Sequence, residues 1–156
     1  MAAYPLFLIY PLYTGVLVLL ALALIPKKDL RTLFHWGVLY GGVLDVVIFL
    51  LITDLFGIGG YKNYGPFSYL GIPFFPPLAW TSYFILYLYL LPSTKPWNYI
   101  FTVTTAVYNM IFSNVLMNLG IYEWTFSRLI LPFFLYLLWN LLVTWTYQKF
   151  IVPATA

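Results

Sequence analysis

The chain contains no cysteine, a single histidine and few charges: 7 Lys and Arg and 4 Asp and Glu in 156 residues. Each shortage excludes something. Without cysteine there is no disulfide, thiolate metal site, iron–sulfur cluster or cysteine nucleophile. One histidine, His35, cannot build a His-based metal motif, so no metal ligand set and no cofactor is expected. Charged residues make up 7% of the chain, against about 25% in soluble domains. So few charges cannot cover a globule of this size, and most of the surface must face hydrocarbon. The seven basic residues are scattered and form no cluster that could track a nucleic-acid backbone.

What is abundant points the same way. Hydrophobic residues make up 63% of the chain and aromatic residues 22%. Pro, Gly and charge punctuate the apolar sequence into five runs of about 20 residues, roughly 5–25, 33–55, 73–91, 98–119 and 128–148. The expectation is an all-α polytopic helix bundle of five transmembrane helices, forming one integral membrane domain over 1–156. KKDLR, GIGGYKNYGPFSYLG, PSTKPW and GIYEWTFS are left as connecting loops, with GIGG (Gly57 to Gly60) read as a flexible turn.

Orientation follows from the basic residues. Lys27, Lys28, Arg31, Lys95 and Lys149 fall on one face, Lys62 and Arg128 on the other. The richer face is expected to be cytoplasmic, which puts the N-terminus outside and the C-terminus inside. The lysines of IPKKDLR follow the first apolar run, the charge order of an uncleaved helix rather than a signal peptide. One internal echo stands out: Pro73-Phe74-Phe75 with Trp80 and Pro132-Phe133-Phe134 with Trp139 share the same spacing. Proline in a first helical turn and aromatics at the interface account for it without a true repeat.

The residue that asks for an explanation is Asp45, in the middle of GVLYGGVLDVVIFLLITD. An ionised carboxylate there costs several kcal/mol, and no other span offers a Lys or Arg at matching depth. Asp45 should therefore be protonated and hydrogen-bonded, face a hydrated cavity, or meet a cation that comes and goes. Asp54 is not its catalytic twin, because nine helical residues amount to a rotation of about 180° and a rise of about 13.5 Å. Asp54 is expected at the outer interface near Lys62. His35 is offset by about 80° from Asp45 on a regular helix and is read as interfacial.

Every other span carries a small or polar residue near its midpoint: Thr14, Thr81 and Ser82, Asn109, and Asn140. Together with Asp45 they suggest a midplane polar pocket, with Asn109 and Asn140 orienting a ligand. Interhelical hydrogen-bond glue is the competing reading of the same residues. Asn114 and Asn118 could line an outer vestibule, and Glu123 could pair with Arg128. Gly37 and Gly41 form a GxxxG stripe leading to Asp45, suited to close packing within the chain or to a homodimer seam.

No nucleophile elbow, phosphate-cradling glycine loop or metal constellation is present, and no catalytic residue is assigned. An enzyme would require Asp45 or Asp54 to act on a lipid. The expected function is binding or conduction of a small ligand, proton or cation through the pocket around Asp45. The alternative is a non-catalytic assembly or scaffold protein packing through the Gly37/Gly41 face. The lipid bilayer is the one expected partner common to both.

Two resemblances accompany these readings. PPLAWTSYFILYLYL, residues 76 to 90, is similar to aromatic stretches of the tryptophan-rich sensory (translocator) family of five-helix porphyrin-binding proteins, but it follows two spans here rather than one. Over most of its length the chain resembles a group of small uncharacterised multi-pass membrane proteins of spore-forming Firmicutes. The IPKKDLR turn, the acid at Asp45 and the KNYGPFSYLG loop carry that resemblance. It implies five spans and a bacterial plasma membrane, and no catalytic residue.

Overall fold

A computed structural model describes residues 5–151. The protein is mostly helical, and four of its helices are long and apolar enough to cross a membrane. We number the helices α1 (Ile9–Leu24, entered through a 3-10 turn at Leu6–Leu8), α2 (Lys27–Leu55), α3 (Phe75–Leu90), α4 (Trp97–Asn118) and α5 (Ile130–Phe150). Four short strands lie between them: β1 (Gly59–Tyr61), β2 (Ser68–Tyr69), β3 (Ile72–Pro73) and β4 (Tyr122–Trp124). The described residues divide into two compact units, one holding 5–89 together with 116–125, the other holding 90–115 and 126–151.

In the first unit, α2 begins earlier than the sequence suggests. KKDLR is the opening of the helix rather than a loop. Pro26 presets the chain immediately before Lys27, and Asp29 lies in the first turn, where the positive end of the helix dipole favours an acid. The helix is not uniform: Val38–Val43 and Leu50–Leu55 are π-helical. This irregularity decides which residues share a face. In a regular helix each step of four residues overshoots a full turn by about 40°. Leu33, Gly37, Gly41, Asp45 and Phe49 would then wind well round the axis, yet all five are buried. The wider i→i+5 turn at Val38–Val43 holds more residues and takes up part of the drift.

The buried ridge of α2 packs on α3. A methyl at Gly41 would overlap the backbone of Trp80, and one at Gly37 would fall 2.9 Å from the carbonyl oxygen of Thr81 and overlap Ile85. Only glycine lets the two backbones approach this closely. The stripe therefore has its partner within the chain. Helix α3 spans 16 residues, about 24 Å, and eight of them are buried, which makes it an inner helix of this unit. In contrast α1 buries only Tyr10, Thr14 and Ala21, one face at helical spacing, and exposes leucines over the rest.

The loops after α2 and α4 are not independent. Strands β1 and β4 pair antiparallel, with Gly59 opposite Trp124 and Tyr61 opposite Tyr122. GIGG is thus no flexible turn: its last two glycines form the start of β1. Glycine is required at Gly60, whose φ is +153° and where a methyl would overlap the Thr53 hydroxyl. Strands β2 and β3 form a separate small hairpin.

In the second unit, α4 and α5 are joined by side chains in antiparallel register. Asn98 Nδ2 donates to Gln148 Oε1 at 2.8 Å, Thr102 and Thr144 hydroxyls meet at 3.0 Å, and Asn140 Nδ2 donates to Thr105 Oγ1 at 3.1 Å. The spacing of four and three on α4 and of four and four on α5 is what places these residues on facing ridges. The sequence echo has no structural counterpart, because Pro73 ends β3 whereas Pro132 lies inside the first turn of α5.

Candidate functional site around Asp45

Asp45 is 4% exposed, on the face of α2 that meets α3. It lies about ten residues, or some 15 Å, from the ribbon end of the helix at Leu55. What reaches it comes from the loop. Strand β1 runs back along the end of α2, with Gly60 against Thr53 and the Tyr61 ring stacked on Phe49 at 5.7 Å between centroids. Tyr61 Oη then donates to Asp45 Oδ1 at 2.8 Å.

The direction of this bond is fixed by a third residue. Trp80 Nε1, on α3, donates to Tyr61 Oη at 3.0 Å. An indole N–H can only donate, so the phenol oxygen accepts there and the phenol proton is directed at the carboxylate. The order is Trp80 to Tyr61 to Asp45. Two further rings close on Tyr61 edge-first, Tyr122 at 5.0 Å and Tyr10 at 6.3 Å. Among the described residues, no Lys, Arg or His is ion-paired to Asp45.

Irregular backbone so close to an apolar helix needs its polar groups matched. Here side chains do much of that. The Tyr10 hydroxyl lies 2.6 Å from both the Lys62 and the Ile121 carbonyl oxygens. Thr53 Oγ1 donates to the Gly59 carbonyl, and Asn63 Nδ2 donates to that of Gly120. The Lys62 N–H donates to Ile121 and the Thr125 N–H to Ile58. At the exposed rim Lys62 pairs with Glu123. The expected Glu123–Arg128 pair is therefore replaced by a diagonal one across the ribbon, because Gly60 faces Glu123 and Lys62, two residues on, follows on the same side. Asp54 is exposed, in line with its reading as a loop-edge acid.

No protein-family model, curated protein or solved structure matches the chain. The site must therefore be read from its own chemistry.

The other residues singled out in the sequence fall into two groups. Thr14, Thr81 and Ser82 are buried in the same unit as Asp45. Thr81 Oγ1 donates to the Pro77 carbonyl at 2.8 Å and Ser82 Oγ to that of Leu78 at 3.1 Å, each one turn back on its own helix. Thr14 Oγ1 lies 3.5 Å from the Phe75 carbonyl, the far edge of hydrogen-bonding distance. Asn109 and Asn140 are buried in the second unit, where the Asn140 amide is engaged with Thr105. Asn114 Nδ2 donates to the carbonyls of Met110 and Arg128, and Asn118 is exposed. His35 is exposed as well.

Sequence reasoning missed Tyr61 and Trp80. The signal available was local: two glycines before Tyr61 and the alternation of YEW, both consistent with strands that can lie close to other backbone.

Proposed function

We propose that the protein crosses a bacterial plasma membrane five times, with its N-terminus outside, and binds or conducts a small ligand, proton or cation at Asp45. Five against two in the distribution of Lys and Arg supports the orientation. The shortness of α3 fits a span shielded by its neighbours, because a helix half buried in protein need not match the hydrocarbon thickness on every side. The resemblance to small multi-pass proteins of Firmicutes supports the compartment.

The observation that carries the functional reading is the contrast between Asp45 and its surroundings. Among the described residues, a buried carboxyl on an apolar helix is met by one phenol and no protein cation. Such a group is costly, and an asparagine would accept the Tyr61 hydrogen bond equally well without the cost of ionisation. The Gly37/Gly41 face offers less to an assembly partner, since α3 occupies it.

The test is to reconstitute the purified protein and its Asp45→Asn variant into liposomes and measure proton, sodium and potassium flux together with tetraphenylphosphonium binding. Loss of one of these activities in a variant that stays folded supports the reading. Unaltered activities across the panel overturn it.

A further inference from the structure

We infer that the ligand of this site is the proton, taken up and released at Asp45 Oδ2, with Tyr61 as the positioning residue that reserves Oδ1. The inference rests on the reading of Asp45 as a binding site and narrows it to one ligand.

Three observations lead there. First, Oδ1 already accepts the Tyr61 proton, and the Trp80 N–H keeps that phenol from turning round. An added proton therefore goes to Oδ2, where a carboxylate has its remaining lone pairs. Second, a hard metal cation such as calcium or magnesium collects about six or more oxygen ligands, carboxylates prominent among them. Among the described residues no group of three His, Cys, Asp or Glu gathers anywhere. The side chains around the phenol that meets Asp45 include the rings of Phe49, Tyr10 and Tyr122 and the Trp80 indole. Third, each of those rings packs against Tyr61 or bonds to it, so the phenol is met by aromatic surface, and a proton, unlike a metal ion, needs no shell of oxygen ligands.

The step balances simply. Oδ2 takes a proton from hydronium, leaving water and a neutral carboxyl, and returns it to water; no electron moves and Tyr61 keeps its own proton. The titratable groups on the elements packed about Asp45 are Tyr10 and Tyr13 of α1, Tyr61 of β1, Tyr122 and Glu123 of β4, and Tyr83, Tyr87 and Tyr89 of α3, with Tyr40 on α2 itself. Helices α1 and α3 contain no charged residue, and on α2 itself His35 and Asp54 are exposed. Lys62 and Glu123, the nearest charges on the ribbon, are paired with each other at the exposed rim.

The experiment is infrared difference spectroscopy on the reconstituted full chain as bulk pH is taken from about 4 to about 9. The expected result is a protonated-carboxyl C=O band that appears and disappears reversibly, shifts with aspartate isotope labelling, persists in Asp29→Asn and Asp54→Asn, and is lost in Asp45→Asn. In Tyr61→Phe, which keeps the ring, the band should move to higher frequency because a hydrogen bond to the carboxyl is gone. A purely structural tyrosine would leave it in place. Should Asp45→Asn not fold, Asp45→Glu serves instead by moving the band out of the aspartate-labelled set. If no titrating band belongs to Asp45 while Asp45→Asn still abolishes sodium, potassium or tetraphenylphosphonium binding, the proton assignment falls and the site stands. If neither responds, both fall. A titrating Asp45 band that Tyr61→Phe does not move overturns the positioning role.

Discussion

Tyr61 and Asp45 are sixteen residues apart in sequence and joined by a 2.8 Å hydrogen bond that ties a β-ribbon to the buried face of a helix. That single contact links the three parts of the first unit that matter: the acid on α2, the ribbon that returns alongside it, and α3, whose Trp80 sets the direction of the bond.

Removing the Tyr61 hydroxyl separates hydrogen bonding from packing. Tyr61→Phe retains the stacking on Phe49 and the edge contact with Tyr122 but strands the buried carboxyl and the Trp80 N–H. The expected loss is about 1–3 kcal/mol, read from unfolding in mixed micelles. Tyr61→Ala also removes the ring and should cost about 3–5 kcal/mol.

The glycine stripe gives a sharper contrast. Gly41→Ala pushes a methyl into the Trp80 backbone, so α2 and α3 must separate at a cost of about 1–3 kcal/mol or more. Gly15→Ala, where nothing lies within 4 Å, should be neutral or gain up to about 1 kcal/mol in helix propensity. Thermal stability in detergent compares the two directly. Equal effects would contradict the packing described.

In the second unit the facing hydroxyls of Thr102 and Thr144 should couple weakly. A double-mutant cycle with valine at both positions is expected to return about 0.6 kcal/mol, and at most about 2. The Lys62–Glu123 pair, about half exposed on both sides, should be worth no more than about 1 kcal/mol.

The five-span arrangement can be checked because the chain lacks cysteine, so any introduced thiol is unique. Tyr69→Cys and Lys95→Cys, both at exposed positions, flank α3. An impermeant maleimide should label them from opposite sides of the membrane. Labelling from the same side would show that α3 does not cross.

How much of this was legible in the sequence depends on the distance over which each feature is determined. Helices α1, α2, α4 and α5 are written in local composition, since each is a long apolar run between Pro, Gly or charge. Helical rotation indicates that Asp45 and Asp54 face different ways, and the structure buries the first and exposes the second. The start of α2 at Lys27 is obscured by its charges, which read as loop between apolar runs, although Pro26 and Asp29 are ordinary helix-start signals. The partner of Asp45 could not be read, because pairing of Gly59–Tyr61 with Tyr122–Trp124 joins segments some sixty residues apart and neither is strongly patterned. The same long-range pairing gave Glu123 to Lys62 instead of Arg128. The π-helical turns, which bring the glycines and Asp45 onto one ridge, leave no mark in simple periodicity.

The most direct test of the account is flux through liposomes containing wild-type protein, Asp45→Asn or Asp45→Glu, compared at equal amounts of folded protein. A carboxyl-dependent proton site predicts proton flux in the wild type, its loss in Asp45→Asn and at least partial recovery in Asp45→Glu. Proton flux that is the same in Asp45→Asn as in the wild type would contradict it.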